Sequence, residues 1–188
     1  MSQNASVAPS VQVWENAQIR EAAIVGENCV IGRSAYIGTG VIIGNNCKIQ
    51  NHSLIYEPAH IADGVFIGPN VTLTNDRNPR AINPDRTLKA ASDWVPVGVT
   101  VMRGASIGAH SVCVAPLTIG EWAMIGAGST VVHDVPNFAL VVGNPARQIG
   151  WVSKSGFQMH EASTGIWICP STGHQYILEL GGMKEFAQ

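Results

Sequence analysis

The sequence has few charged residues and no large excess of either sign. Only 13% of its 188 residues are charged and the formal net charge is -2, so neither nucleic acid nor an anionic membrane surface is expected as a partner. The first dozen residues lack the cationic start and apolar run of a signal peptide, and no apolar stretch is long enough for membrane insertion. We therefore expect a cytoplasmic protein.

Cysteine is also scarce, and no two cysteines form a CxxC pair. The four cysteines are spread singly along the chain, at Cys29, Cys47, Cys113 and Cys169. This distribution suits reduced thiols better than a disulfide framework.

An aliphatic residue recurs every six positions in the first part of the chain. The series comprises Val7, Val13, Ile19, Val25, Ile31, Ile37, Ile43, Ile49, Ile55, Ile61, Ile67 and Leu73. A small or β-branched residue follows four positions after each one, as at Ala23, Cys29 and Ser53. Because the two sets lie two residues apart across each repeat boundary, strand alternation sends both to the same inner face. Glycine often follows the aliphatic residue, as at Gly26, Gly32, Gly38, Gly44, Gly68, Gly108, Gly120 and Gly126, and we expect it to allow a corner with positive φ.

Short strands joined by corners predict a prism of stacked coils around one aliphatic core. A sandwich of short strands is the alternative, but a sandwich does not keep a fixed period through its turns. The period resumes at Val95 and continues through Val101 to Val131. Since the spacing from Leu73 to Val95 is no multiple of six, a loop of about twenty residues, 75–94, is expected to leave the prism.

This repeat resembles that of the hexapeptide acyltransferases over residues 7 to about 150. The resemblance implies an all-β fold, a left-handed parallel β-helix of hexapeptide repeats, and a homotrimer with active sites between subunits. Apolar residues at outward positions, such as Ile24, Ile42 and Phe66, independently favour an oligomer. We expect a β-helix acyltransferase domain at 1–150 and a C-terminal appendage at 151–188.

Two longer stretches are similar to bacterial nucleotide-sugar N-acetyltransferases: NHSLIYEPAHIADGVFIGPNVTLTNDRNPR at 51–80 and VGNPARQIGW at 142–151. Members of that group acetylate the 3-amino group of UDP-2-acetamido-3-amino-2,3-dideoxy-glucuronate, for lipopolysaccharide O-antigen. A sister group that acts on dTDP-3-amino-3,6-dideoxy sugars shares much of the pattern and stays open as an alternative. The resemblance implies an acetyl-CoA-dependent enzyme with a nucleotide-sugar substrate.

The repeat rule fails in three consecutive hexads just before the loop, where Gln50, Tyr56 and Ala62 replace the corner glycine. Such failures are expected at functional sites. We expect Gln50, Asn51, Tyr56 and His60 to bind substrate, and Arg80 in the NPR motif to meet a phosphate or carboxylate, because a guanidinium can form two bonds to an oxyanion. The alternative for the loop's four basic residues, Arg77, Arg80, Arg86 and Lys89, is an ordinary solvated surface.

Transfer of an acetyl group to a neutral amine needs alignment, oxyanion stabilisation and removal of a proton. The resemblance implies that Asn75 orients the amine while the departing thiolate collects the proton. A turn-forming role is the alternative for Asn75. Glu57 and His60 are the candidates for a side-chain base, and we take Asn75 and Glu57 as the catalytic pair.

The resemblance places acetyl-CoA along the later coils. The matching residues are Gly108, Ala109, Gly126, Ala127, Pro145 and Arg147. Plain corner geometry is the alternative for the glycines.

The appendage is expected to hold one or two strands and to cover an open end of the prism or a neighbour's surface. Its WVSKSG and CPSTGH stretches resemble a zinc ribbon but retain Cys169 alone among the expected thiolates, so no metal is expected.

Two other functions are possible on the same fold. A γ-type carbonic anhydrase needs three zinc-binding histidines, and His52, His60, His110 and His133 do not match that family's spacing. A non-catalytic scaffold is the second alternative.

Overall fold

The computed structural model describes residues 4–186, and in it the chain forms a left-handed parallel β-helix. Each coil contains three strands, most of them only two residues long. Ser6 pairs with Ile24 and Ile24 with Ile42, so one coil takes eighteen residues. The predicted fold is therefore confirmed. No helix in residues 4–186 is long and apolar enough to cross a membrane.

Three sheets form the faces of the prism, and the chain passes through them in turn. The first sheet comprises, in spatial order, β1 (Ser6–Val7), β4 (Ile24–Val25), β7 (Ile42–Ile43), β10 (His60–Ile61), β13 (Val99–Val101) and β16 (Leu117–Ile119). The second comprises β2 (Gln12–Val13), β5 (Val30–Ile31), β8 (Lys48–Ile49), β11 (Phe66–Ile67), β14 (Ser106–Ile107), β17 (Met124–Ile125), β19 (Ala139–Gly143) and β20 (Ala146–Trp151). The third comprises β3 (Gln18–Ile19), β6 (Tyr36–Ile37), β9 (Leu54–Ile55), β12 (Thr72–Leu73), β15 (Val112–Cys113) and β18 (Thr130–Val131).

Both predicted inward sets form the core. The aliphatic residues from Ile19 to Leu73 are buried, and so are the small residues such as Ala23, Cys29 and Val41. Some of the small inward residues are serines, and the hydroxyl oxygen of Ser53 lies 2.9 Å from each of the carbonyl oxygens of Gln50 and Gly68, either of which can accept its proton. At the N-terminal end of the prism the rule weakens, because Val13 has no coil beneath it and is 36% exposed.

The predicted reason for the corner glycines is wrong. Gly38, Gly44 and Gly108 do not have positive φ, which instead occurs two residues later, for example at Gly40 and Asn46. The glycines are required because a Cβ atom would strike the next coil. A Cβ on Gly108 would lie 2.5 Å from the amide nitrogen of Ala127, which is closer than real Cβ contacts allow.

The loop leaves the prism between β12 and β13, and it returns later than the six-residue spacing predicts. Val95 is 82% exposed rather than inward, because the chain rejoins the prism only at Val99. Within the loop, Ile82 pairs with Leu88 in an antiparallel bridge, and a short 3-10 helix follows at Ala91–Asp93.

The appendage contains more strand than the sequence predicts. It forms a four-stranded antiparallel sheet of β21 (His160–Ser163), β22 (Ile166–Ile168), β23 (Gln175–Glu179) and β24 (Gly182–Glu185). Its apolar side packs beside the C-terminal end of the prism, where Tyr176 lies 5.4 Å from Phe138 between ring centroids. The amide of Met183 donates to the carbonyl of Asn137 at 3.1 Å, which ties the β23–β24 turn to the last coil.

Hydroxyl groups surround Cys169 where the zinc-ribbon resemblance would place thiolates. The sulfur lies 3.3 Å from Ser155 Oγ and 3.4 Å from Ser171 Oγ. Burial opposes ionisation, but the side-chain hydrogen bonds of Ser153, Ser155, Ser171 and Thr172 together lower the pKa of this thiol to about 5. In residues 4–186 no group of three or more His, Cys, Asp or Glu side chains is arranged to hold a metal ion.

Replacing Ile67 by alanine is expected to lower the free energy of unfolding by about 2–5 kcal/mol, because the fully buried side chain would leave a cavity between coils. Val95→Ala is the control, with an expected change within about 0.5 kcal/mol. Chemical denaturation measures both values. Equal destabilisation by the two substitutions would contradict the position of Val95 outside the prism.

Candidate active site

Three columns of corner residues run along the prism, one at each edge. The loop corner joins the third sheet to the first and includes 56–59 and the extruded loop. The Trp122 corner joins the first sheet to the second at 120–123. The Gly108 corner joins the second to the third at 108–111. The predicted site residues are divided among these columns.

Glu57 and Asn75 occupy equivalent positions of consecutive coils at the loop corner. Ile55 pairs with Leu73, and each candidate follows its strand residue by two positions. The backbones of adjacent coils are about 4.8 Å apart, so the two side chains are neighbours along the prism edge. Tyr56 lies beside them, with its ring 5.4 Å from that of Tyr36.

The carboxylate of Glu57 is the unusual group of this corner. Its Oε2 atom is buried, and it has no hydrogen-bond partner among residues 4–186. It lies over Gly38, so closely that a Cβ on that glycine would strike it. Because leaving a buried polar atom unpaired is costly, this oxygen is a candidate acceptor for a hydrogen bond from a bound molecule.

Both legs of the extruded loop meet beside Glu57 and Asn75. The amide of Val97 donates to the carbonyl of Asn75 at 3.0 Å. On the same return leg, a Cβ on Gly98 would lie 2.7 Å from the carbonyl oxygen of Pro58. These contacts fix the backbone of Asn75 at the base of the loop. Arg80 lies farther along the loop, exposed, with Nη1 donating to the carbonyl of Pro79 at 2.8 Å.

Below Glu57 the same column continues through Thr39 to Glu21. The Thr39 hydroxyl donates to Glu21 Oε1 at 3.1 Å. The hydrogen bond from the Arg20 guanidinium lowers the pKa of Glu21 to about 2, so this carboxylate is ionised and available as an acceptor. The Thr39 proton is thereby directed away from Glu57.

The Gly108 corner holds a second group of predicted residues. Gln50, Asn51, Gly108, Ala109, Gly126 and Ala127 are stacked there. Asn51 Oδ1 accepts the backbone N–H of Arg33 at 2.9 Å, so this amide supports the corner, which is a structural role in addition to the predicted binding role. Pro145 and Arg147 lie in the β19–β20 hairpin, which continues from this corner: the amide of Gly143 donates to Ser129 Oγ at 3.1 Å.

One chain does not bring the two groups together. The third sheet separates Glu57 and Asn75 at the loop corner from Gln50 and the Gly108 stack. His60 lies apart from both groups, exposed on the first sheet. The histidines considered for zinc are similarly dispersed, with His52 and His110 at the Gly108 corner and His133 at the loop corner.

Sequence reasoning missed a cavity of about 410 Å³ at the loop corner above Asn75. Arg77, Ala115, Pro116, His133 and Asp134 contribute to its lining. The eighteen-residue register could have placed His133 one coil above Ala115. It could not have shown that Arg77 turns back toward them, because that depends on the path of the loop.

The profile of the bacterial transferase hexapeptide (six repeats) family matches residues 40–75, the coils that lead into the loop. The match covers about a fifth of the chain. Comparisons with curated relatives and solved structures agree, and they confirm the resemblance to hexapeptide acyltransferases that the sequence predicts.

A dTDP-3-amino-3,6-dideoxy-alpha-D-galactopyranose 3-N-acetyltransferase of Aneurinibacillus thermoaerophilus is 62% identical over 52 residues. The match covers 28% of this chain and 27% of that relative, so the chain spans about a quarter of its length. A hexapeptide transferase family protein from Anaplasma phagocytophilum is 19% identical, with a TM-score of 0.64 over 80% of this chain and 81% of that one. A GDP-perosamine N-acetyltransferase from Caulobacter crescentus, in complex with CoA and GDP-perosamine, is 22% identical, with a TM-score of 0.54 over 79% of this chain and 54% of that one. At these identities the structural likeness shows the fold alone.

Proposed function

We propose that the chain is an acetyl-CoA-dependent N-acetyltransferase that acts on the amino group of a nucleotide-linked amino sugar. The observation that carries this proposal is the buried Oε2 of Glu57, which has no hydrogen-bond partner in residues 4–186 and lies one coil below Asn75, at the base of the extruded loop. An amine substrate supplies the N–H donor that this oxygen lacks. The relatives support the reaction class, since one is an amino-sugar nucleotide N-acetyltransferase and another binds CoA.

In the proposed reaction, the amine nitrogen attacks the carbonyl carbon of the acetyl thioester. The carbon–sulfur bond then breaks, and its electron pair leaves on the sulfur of coenzyme A. Asn75 orients the amine through its amide oxygen, and Glu57 accepts the proton that the nitrogen loses. If Glu57 does not accept it, the departing thiolate is the remaining acceptor.

The proposal includes a homotrimer with active sites between subunits. Within one chain, the acetyl-CoA residues of the Gly108 corner and the Glu57–Asn75 pair lie at different edges of the prism. A neighbouring chain that brings its Gly108 corner to this loop corner would complete the site. Most soluble oligomers are closed assemblies of identical chains.

Two classes of amino sugar are candidates. The motifs at 51–80 and 142–151 favour the UDP-linked 3-amino uronates of O-antigen synthesis, whereas the Aneurinibacillus relative favours a dTDP-linked 3-amino-3,6-dideoxyhexose. Release of free thiol from acetyl-CoA, measured with each sugar in turn, distinguishes them. We expect turnover with one class. No release with any amine, together with no binding of acetyl-CoA, would reject the acetyltransferase and leave a scaffold.

A further inference from the structure

Two neighbouring cavities lie at the C-terminal end of the third sheet, and we call the surface that they occupy together the groove. The first is the cavity of about 410 Å³ beside Arg77. The second, of about 340 Å³, lies between the end of the third sheet and the β19–β20 hairpin, and Ala146, Arg147 and Gln148 line its far side. Val132, His133 and Asp134 line both cavities. The lining of the groove thus extends from Arg77 of the loop to the β19–β20 hairpin.

The groove begins directly above Asn75. Leu73 pairs with Cys113 and Cys113 with Val131, so Asn75, Ala115 and His133 occupy the same corner position in three successive coils. The Thr74 hydroxyl, which accepts the amide of Ala115 at 3.0 Å, joins the first two of these coils. Two coil spacings put His133 about 10 Å along the prism edge from Asn75.

The groove is cationic in a chain whose net charge is negative. Arg77 and Arg147 line its two ends, and neither forms an ion pair with another residue in the range 4–186. His133 lies between them. Among the described residues that line the groove, Asp134 is the one acid, and its Oδ1 accepts the backbone N–H of Thr118 at 2.7 Å. A local excess of positive charge attracts an anionic ligand even when the whole chain is acidic.

We propose that this groove binds the diphosphate of a nucleotide. Arg77 and His133 are the contacts that this proposal adds to those expected from the resemblance. Guanidinium and imidazole groups meet phosphate oxygens with charge-assisted hydrogen bonds. The diphosphate belongs either to coenzyme A or to the sugar nucleotide. The identity of these two ligands rests on the proposed function.

Isothermal titration calorimetry of the full chain with coenzyme A, UDP and dTDP shows whether the groove binds the diphosphate of coenzyme A or that of the sugar nucleotide. We expect Arg77→Ala and His133→Gln to weaken the binding of the same ligand class, either coenzyme A or the nucleoside diphosphates, about tenfold or more. The affinity for the other class should change little. The matched control is Arg103→Ala, because Arg103 is also exposed but lies at the Trp122 corner. Its affinities should equal those of the unmodified chain.

If both variants bind all three ligands with unchanged affinity, the proposal that the groove binds a diphosphate is wrong. Equal weakening by Arg103→Ala would also overturn it, because the effect would then reflect only the total charge. The titration is independent of turnover. If the chain acetylates no amine but Arg77→Ala weakens diphosphate binding, the proposed groove stands and the proposed enzyme is rejected. If the chain acetylates an amine but Arg77→Ala binds the ligands normally, the enzyme stands and the groove is rejected.

Discussion

Replacing Asn75 by alanine is expected to lower the rate of acetyl transfer by about 100-fold or more, in line with the loss of one positioned polar contact in an acyl-transfer site. The side chain lies at the base of the loop, and only the backbone carbonyl of Asn75 is used to join the two legs, through Val97. Alanine keeps that carbonyl. The fold should therefore survive, and the loss should appear in kcat rather than in the affinity for acetyl-CoA.

Thiol release with the active amino sugar measures this effect, and circular dichroism checks the fold. Gln12→Ala is a suitable control, because it removes an exposed side-chain amide from the first coil, on the second sheet. If Asn75→Ala keeps at least one third of the activity, then Asn75 is a turn residue and has no role in orienting the amine.

The β-helix could be predicted from the sequence because the residues that recur every six positions all face one core. Ile19, Ile37 and Ile55 are stacked in one sheet and all are buried. Positions at the boundaries of the prism escaped this reasoning. Val95 fits the spacing but is exposed, since a six-residue pattern cannot show where a loop returns to its coil.

The candidate site was predictable in part. Once a coil is known to take eighteen residues, Glu57 and Asn75 must be neighbours, and Thr39 must lie beneath Glu57. The register does not show that the Glu57 carboxylate reaches over Gly38. The course of the loop and the β19–β20 hairpin could not be predicted in this way, because their contacts, such as Val97 with Asn75, break the period. For the same reason the cationic groove emerged only from the structure.

Replacing Glu57 by glutamine is expected to lower the rate of amine acetylation by about 100-fold or more, the typical contribution of a positioned general base. Glutamine has nearly the same shape, so it keeps the packing over Gly38 while removing the group that accepts the proton. Affinity for acetyl-CoA, measured by titration, should not change. Full activity of Glu57→Gln would show that the departing thiolate takes the proton and that Glu57 is dispensable.

Gly38→Ala tests the same carboxylate without altering it. The added Cβ would strike Glu57 Oε2, so the carboxylate must move, and we expect a loss of activity about tenfold or greater, because misplacement of about 1 Å is costly in such sites. Gly26→Ala is the matched control: its Cβ would crowd the next coil equally, at 2.8 Å from the Gly44 carbonyl carbon, but at the Trp122 corner. Chemical denaturation should show a similar loss of stability in both variants. Only Gly38→Ala should lose more activity than its loss of stability explains. Parallel losses in the two would mean that activity follows stability, and that the position of Glu57 has no part in the reaction.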